Sequence, residues 1–467
     1  MSIVRTRSLF CVCFLTLVLG SLLQAQTFTT LVNFFGADGA NPQASLIQGT
    51  DGALYGTTLN GGLGSCWCGT LFRISTQGSL VGFPLNTHNG TGPTKSLLLG
   101  TDGNYYGTTH ADGAYGYGTV FKITPAGVLT KLHDFCADRN DCMDGYSPNE
   151  LVQGFDGNLY GTTAYGGDPS CAAGCGTVFK ITQSGAFTTL YRFRGDDGDH
   201  PSGRLVQGLD SSLYGVTLEG GGLGTIFRIT PAGAVTRLHT FDGDDGSFPN
   251  GGMILASDGG FYGTTYAGGP SNDGTLFRIA PTGRFTVLHH FNSAANQPYS
   301  ELVQGSDRSL YGTTYYGGDQ NCNYPYGCGA IYRLSLDGTF TIPHSFESTD
   351  GQFPTAGLVQ ATNGVFYGTV PDGGNSTYGT LYSLDMGLGP FVTFVRNAGR
   401  AGSVTSVLGQ GFTGTSAVAF NGTAGSFTVA SDTLIYATVP PGATTGYVTV
   451  TTPTGTLTSN KKFVVVQ

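Results

Sequence analysis

The sequence predicts an all-β chain: a seven-bladed β-propeller with four-stranded blades, followed by a small immunoglobulin-like β-sandwich. Three observations predict it. The composition pairs 77 Gly with 24 Tyr and 30 Phe and only 11% charged residues, which suits many short strands joined by glycine turns. A Tyr-Gly motif recurs at Tyr55, Tyr106, Tyr160, Tyr214, Tyr262, Tyr311 and Tyr367, and a period near 50 residues signals stacked or radial supersecondary units. Finally, one strand-like segment is missing at the end of the repeats and one is spare at their start.

The first element is an export signal, residues 1–25. Arg5 and Arg7 form a positive start, Leu9 to Leu19 an apolar run, and Ala25 precedes a plausible cut at Gln26. The apolar run is short for a membrane anchor, so no integral span is expected after cleavage. Loss of Arg5 and Arg7 moves the formal charge from −9 to −11, which argues against nucleic acid or an anionic membrane as the main partner. The chain is expected as a monomer outside the cytoplasm: secreted, at the cell surface, or in a periplasm.

Cleavage also removes Cys11 and Cys13. The other eight cysteines fall into local couples, Cys66/Cys68, Cys136/Cys142, Cys171/Cys175 and Cys322/Cys328, and local disulfides are the simple expectation in an oxidising compartment. Cys66-Trp67-Cys68 closes a very small ring, which leaves its pairing open. Zinc is the rival, but paired CxxC motifs with His partners are absent.

The repeats occupy residues 26–386. In the third, LVQG meets a turn at Asp156-Gly157, LYGTT follows, a longer loop leads to GTVFKIT, and a Ser184-Gly185 turn leads to FTTLYRF. Alternating apolar and β-branched residues with Asp-Gly punctuation predict antiparallel strands, four to a blade. After the seventh GTxFxI-type segment the chain turns into MGLGP without a fourth strand. FTTLVNFF, Phe28 to Phe35, resembles that missing strand and is predicted to complete the last blade and close the ring. Tyr55 and its equivalents are expected between blades, Gly56 at a tight contact or bulge, and Asp51 in a turn rather than in catalysis.

The units QGxDGxLYGTTxxGG…GTxFxIT…TxLHxF resemble the GloVer tandem-repeat secreted proteins, over Thr27 to Asp385. The resemblance implies secretion and a propeller-like array and supplies no catalytic residue. From 387 to 467 the pattern changes. GQGFTG, VAFNG, VPPGATTG and the closing FVVV resemble an IPT/TIG immunoglobulin-like domain, which implies an accessory or spacer module. The MGLGP link is too short for a free tether, so the two modules are expected to touch.

Hairpin order places the tight turns on one face and the long loops, with all eight remaining cysteines, on the other. Trp67, Tyr165, Tyr266, Tyr315 and Tyr316 belong to the long-loop face and are ligand-binding candidates, with Tyr324 and Tyr326 nearby. The residue before each first strand is Ser45, Ser96, Glu150, Arg204, Gly252, Glu301 or Gly357. If these ring a channel mouth, Glu150, Arg204 and Glu301 are its polar candidates, and two carboxylates there could bind sugar hydroxyls or act in acid–base chemistry. A salt bridge among rim charges is the plainer expectation.

His133, His239, His289 and His344 share one repeat position, so they radiate apart and are expected to pack or hydrogen-bond rather than share a metal. The carboxylates Asp196, Asp197 and Asp199, or Asp242, Asp244 and Asp245, suit calcium in type but not in order, and Asp138 to Cys142 comes nearer. No cofactor is expected beyond that weak calcium possibility. Asn89 and Asn421 begin glycosylation sequons. No nucleophile elbow, P-loop, dinucleotide fingerprint or zinc-protease motif occurs. The reading is a secreted, non-catalytic protein that binds a glycan or protein on its long-loop face. The alternatives are an extracellular carbohydrate-active enzyme using Glu150 and Glu301, and a purely structural building block.

Overall fold

The computed structural model describes residues 26–466 other than 64, 65, 139, 140 and 172. The expected export segment, with Cys11 and Cys13, lies outside the described residues. Those residues form strands joined by turns and loops, with no helix among them.

Before Asp385 the described strands pair into seven antiparallel sheets, each built on a four-strand path or on one with a further strand paired beside it. The third unit shows how the motif makes such a sheet. Its strands are Val152–Gln153, Leu159–Tyr165, Thr177–Ile181 and Phe187–Arg192. Asp156 anchors the turn: Oδ1 accepts the Asn158 N–H at 3.1 Å and Oδ2 accepts the Tyr160 hydroxyl at 2.9 Å. Gly157 takes a φ of +85°, the left-handed region that glycine enters without strain. Gly161 lies opposite Phe179 on the next strand, and a Cβ there would stand 2.5 Å from Phe179 Cζ. The missing side chain is thus the seat of a neighbouring ring. Thr163 and Thr177 join hydroxyls across the strands at 2.9 Å. Asp156, Tyr160 and Thr163 of the motif are thus spent on turn and strand geometry.

The second strand is buried along its length from Leu159 to Thr163, whereas no residue of the fourth is fully buried. This follows from position: inner strands lie between neighbouring sheets and outer strands meet water. Apolar clusters fill the spaces between successive sheets. Tyr160 and Val178 of the third unit meet Leu205, Leu213 and Phe227 of the fourth. Tyr367 and Leu381 of the last unit meet Leu46, Leu54 and Phe72 of the first.

Two polar devices repeat at these junctions. Gln153 accepts the Thr101 N–H, Gln207 the Phe155 N–H, Gln304 the Ser257 N–H and Gln360 the Ser306 N–H, at 2.8–3.0 Å. Gln48 does the same for Thr362, linking the first unit to the last. The histidine position stacks on the opening phenylalanine of the next fourth strand: His133 on Phe187, His239 on Phe285 and His289 on Phe340. Three of the histidines at this position also meet a carboxylate: His133 meets Asp144, His239 meets Asp245 and His344 meets Asp350. They are packed strand residues and do not converge.

The spare segment at the front is paired as its sequence predicts. Thr27–Asn33 runs antiparallel to Thr380–Asp385, with Phe28 opposite Leu384. It gives the last sheet its fourth strand, so the array is propeller-like and its first and last units meet.

The C-terminal strands make two further four-stranded sheets and a short parallel pair, Ala398–Gly399 with Val464–Val465. One apolar core, including Phe412, Phe420, Ile435, Val448 and Phe463, lies among them. This module rests on the tight-turn side of the repeats. The Thr433 hydroxyl donates to the Thr50 carbonyl at 2.8 Å, the Thr362 hydroxyl to the Gly409 carbonyl at 3.3 Å, and Arg396 to the Phe155 carbonyl at 3.4 Å.

Candidate functional site

The first strands converge on a cavity of about 490 Å³. Its wall is a ring of aliphatic side chains, one from each unit: Ile47, Leu98, Val152, Val206, Ile254, Val303 and Val359. Period-two alternation sets this ring, because the neighbouring residue on each first strand turns into the space between sheets.

One turn of the pleat earlier stand the predicted polar positions. Arg204 and Glu301 come together. One guanidinium nitrogen donates to both carboxylate oxygens at 2.8 Å. The unit between them supplies Gly252 at the equivalent place, so no side chain intervenes. Both groups line the cavity. Burial pushes the Glu301 carboxyl up, while Arg204 pulls against it. The Glu301 charge in turn raises Arg204. Glu150 is near enough to act on both electrostatically, and its Oε2 is buried without a hydrogen bond. The expected rim salt bridge is thus formed by two of the three candidates.

The C-terminal module closes the other end of the same space with Phe394, Val395, Arg396, Asn460, Lys461 and Lys462. Lys461 is accessible to water-sized molecules yet surrounded by protein, and desolvation lowers its ammonium pKa. No motif announced these residues, since their place depends on docking between two unrelated modules.

The long-loop aromatics divide into three groups. Tyr266, Tyr315 and Tyr316 belong to one continuous run. Tyr266 meets Tyr299 at 6.0 Å, Tyr299 meets Tyr315 at 6.2 Å, Tyr315 meets Tyr316 at 4.8 Å, and Tyr316 meets Tyr326 at 5.4 Å. Phe353 stacks on Tyr315 at 5.2 Å. The Tyr266 hydroxyl donates to Gln297 at 2.8 Å. Burial raises the Tyr266 and Tyr315 hydroxyl pKa values, so both rings stay neutral donors at ordinary pH. Tyr165 stands elsewhere, stacked on Tyr146 at 5.2 Å and edge-on to His200 at 4.7 Å. Trp67 packs against Tyr378 at 6.0 Å. Tyr299 and Phe353 were missed in the sequence because they flank the prolines before first strands rather than lying in the loops between second and third strands.

All four cysteine couples are disulfide-bonded, Cys66–Cys68 included. Most of these cysteines lie beneath the surface of their loops. Cys175 and Cys328 are wholly buried, and Cys68, Cys136 and Cys142 are buried with them. Cys175 belongs to the apolar cluster of Tyr160, Val178 and Phe193, and Cys328 to that of Tyr311, Ile331 and Phe346. The reason is their place in the chain. Cys175 and Cys328 stand just before Gly176 and Gly329, at the mouth of a third strand, so their side chains already enter the space between sheets. Their carbonyls accept the His200 and Phe353 N–H groups at 3.2 and 2.9 Å. A cystine sulfur packs there as a small apolar group. These two cysteines therefore anchor their loops from beneath and offer no surface to a ligand.

The acidic loops use their carboxylates as turn anchors. Asp138 accepts the Cys142 and Met143 N–H groups, Asp197 that of Arg194, Asp242 those of Asp244 and Asp245, and Asp245 that of Asp242. Asp199, His200 and Glu219 bring one donor atom each within 4.8 Å of one another. Asp199 and Glu219 are cross-strand neighbours there.

The Gloeobacter/Verrucomicrobia repeat model matches residues 18–168, 138–324 and 222–451, three overlapping stretches. The chain belongs to this repeat family. No curated protein matches the chain. Among solved structures it is similar to a gluconolactonase of Xanthomonas campestris, with 16% identity and a TM-score of 0.40 over 62% of this chain and 86% of that one. It is also similar to a luciferin-regenerating enzyme, with 11% identity and a TM-score of 0.41 over 79% and 98%. A structural-genomics protein of Bacteroides thetaiotaomicron gives 12% identity and a TM-score of 0.41 over 77% and 76%.

Proposed function

We propose that this repeat-family member is a secreted, monomeric binding protein: a closed seven-bladed β-propeller, residues 26–386, carrying an IPT/TIG-like immunoglobulin sandwich, residues 387–467. The long-loop face is the binding face, and glycans are the ligand class. The observation that carries this reading is the run of rings from Tyr266 through Tyr299, Tyr315 and Tyr316 to Tyr326. Tyr299 and Tyr326 expose 39% and 59% of their surface. Rings with an apolar face and a hydroxyl edge suit sugars, which present flat C–H faces rimmed by hydroxyls. The run spans loops of successive units on a scaffold held by disulfides, the setting in which loops carry recognition. Four disulfides also fit an oxidising compartment, and no helix among the described residues is long and apolar enough to cross a membrane.

Binding is favoured over glycan cleavage by the state of Glu301. Both its oxygens already accept from Arg204, so it is not a free partner for Glu150 in acid–base work.

The test is a glycan-array screen of residues 26–467, with calcium and with chelator, repeated for Tyr316→Ala and Tyr299→Ala. A defined hit lost in both variants supports the reading. A blank array, or a hit that survives both substitutions, overturns the assignment to this run of rings. Glycan cleavage that Glu301→Gln abolishes would replace it with the enzymatic alternative.

A further inference from the structure

The central cavity has a chemistry of its own, independent of the long-loop face. Its wall is aliphatic around the full ring of first strands. Its charged groups do not balance. Glu301 is taken by Arg204 and Asp258 by Arg278. Arg396, Lys461 and Lys462 line the same space, and none has an ion-pair partner among the described residues. Glu301 acts on Lys461 only at longer range. Asp156 acts on Arg396 in the same way and already accepts Asn158 and Tyr160. The Arg396 guanidinium donates only to the carbonyls of Ala398 and Phe155. Even with Glu150 counted against them, cations are in excess. Asn460, beside Lys461, also lines the cavity and has its Oδ1 buried without a partner. Cations that face one cavity without a carboxylate partner, in an acidic protein of net charge −9, mark a place suited to an anion, since a charge that loses water is costly until it is paired. The size falls in the range of small-molecule sites, which favour the seam between domains.

We propose that this cavity binds a small organic anion with an aliphatic body, a medium-chain carboxylate, with its head group on Lys461 and its chain against the Ile47, Val206, Ile254 and Val303 side of the ring. The C-terminal module then completes a site that the repeats alone leave open, rather than acting as a spacer.

Isothermal titration calorimetry of residues 26–467 with decanoate, decanol, decyltrimethylammonium and inorganic phosphate tests this. Decanoate binds saturably at one site per chain. Decanol, the cationic amphiphile and phosphate each bind about tenfold more weakly or not at all, because a charge-assisted head-group bond and the chain are both needed. Lys461→Met lowers decanoate affinity about tenfold or more, and Val206→Phe, which fills the cavity from the repeat side, does the same. Tyr436→Ser, on the exposed side of the module, leaves it unchanged. Absence of decanoate binding overturns the proposal, as does equal binding of decanol, or wild-type affinity in a folded Lys461→Met or Val206→Phe protein. Phosphate binding as tight as decanoate would overturn the aliphatic half and leave a simple anion site.

Discussion

Phe28 lies flat on His344, ring centroids 3.6 Å apart and planes within 5°. The same stack holds three other pairs of neighbouring sheets together, but here one ring comes from the start of the chain. Phe28→Ala is expected to cost about 1.5–3 kcal/mol from lost burial. Removing residues 26–34 goes further, because it bares the edge of Thr380–Asp385. Urea denaturation reads the first effect. Light scattering reads the second as self-association.

The motif glycine is the next point of stress. Gly161→Ala drives a Cβ to 2.5 Å from Phe179 Cζ and should cost about 1–3 kcal/mol by overpacking. Gly103→Ala meets nothing within 4 Å and carries only the strain of its φ of +79°. Melting curves should therefore rank Gly161→Ala well below Gly103→Ala. Equal losses would mean that the Phe179 ring yields to a Cβ and does not explain the motif.

Arg204 and Glu301 give a pH-dependent prediction. Arg204→Met removes the hydrogen bonds that offset Glu301 burial, at a cost of about 1.5–3 kcal/mol near neutral pH. The Glu301 carboxyl is already raised by burial, and without Arg204 it rises further. A carboxyl with a raised folded pKa binds more protons in the folded state, so stability recovers as pH falls through that pKa. The deficit of Arg204→Met should shrink between neutral and mildly acidic pH. Glu301→Gln should show no such recovery.

His289 titrates with the opposite sign. It lacks the carboxylate partner of its counterparts, and burial, aided by His290, lowers its pKa. A histidine with a depressed folded pKa contributes stability above the unfolded value, about 6.5, and loses it as pH falls below that value. His289→Phe should flatten the stability profile on the acid side of pH about 6.5 and keep the stack on Phe340. An unchanged profile, measured by denaturation across pH about 5–8, would show that this ring is not a source of acid sensitivity.

Much of the architecture was legible because each repeat carries its own instructions. Asp156-Gly157 specifies a turn, Gly161 leaves room for Phe179, and a spare FTTLVNFF matches a missing strand. The cysteine couples were legible for the same reason, since their partners are sequence neighbours. Their depth was not: Cys175 and Cys328 sit one residue from a third strand, and only the packed sheets show that this places them inside. The site was less legible still. Arg204 and Glu301 could be placed on one ring of positions, but their contact depends on Gly252 standing between them. Tyr266, Tyr315 and Tyr316 meet because they belong to adjacent units. Trp67 and Tyr165 do not, because equivalent loops diverge around the array. Lys461, Asn460 and Arg396 were out of reach: nothing repeats in the C-terminal module that would tell which loop faces the cavity.

The pairing of Thr27–Asn33 with Thr380–Asp385 also sets an order of events. The first described strand has its partner at the far end of the repeats. A chain delivered amino end first must hold that strand unpaired while every intervening unit is made, with raw sheet edges at both ends until the clasp shuts. A truncation that stops short of Asp385 is therefore expected to leave Thr27–Asn33 without its partner strand.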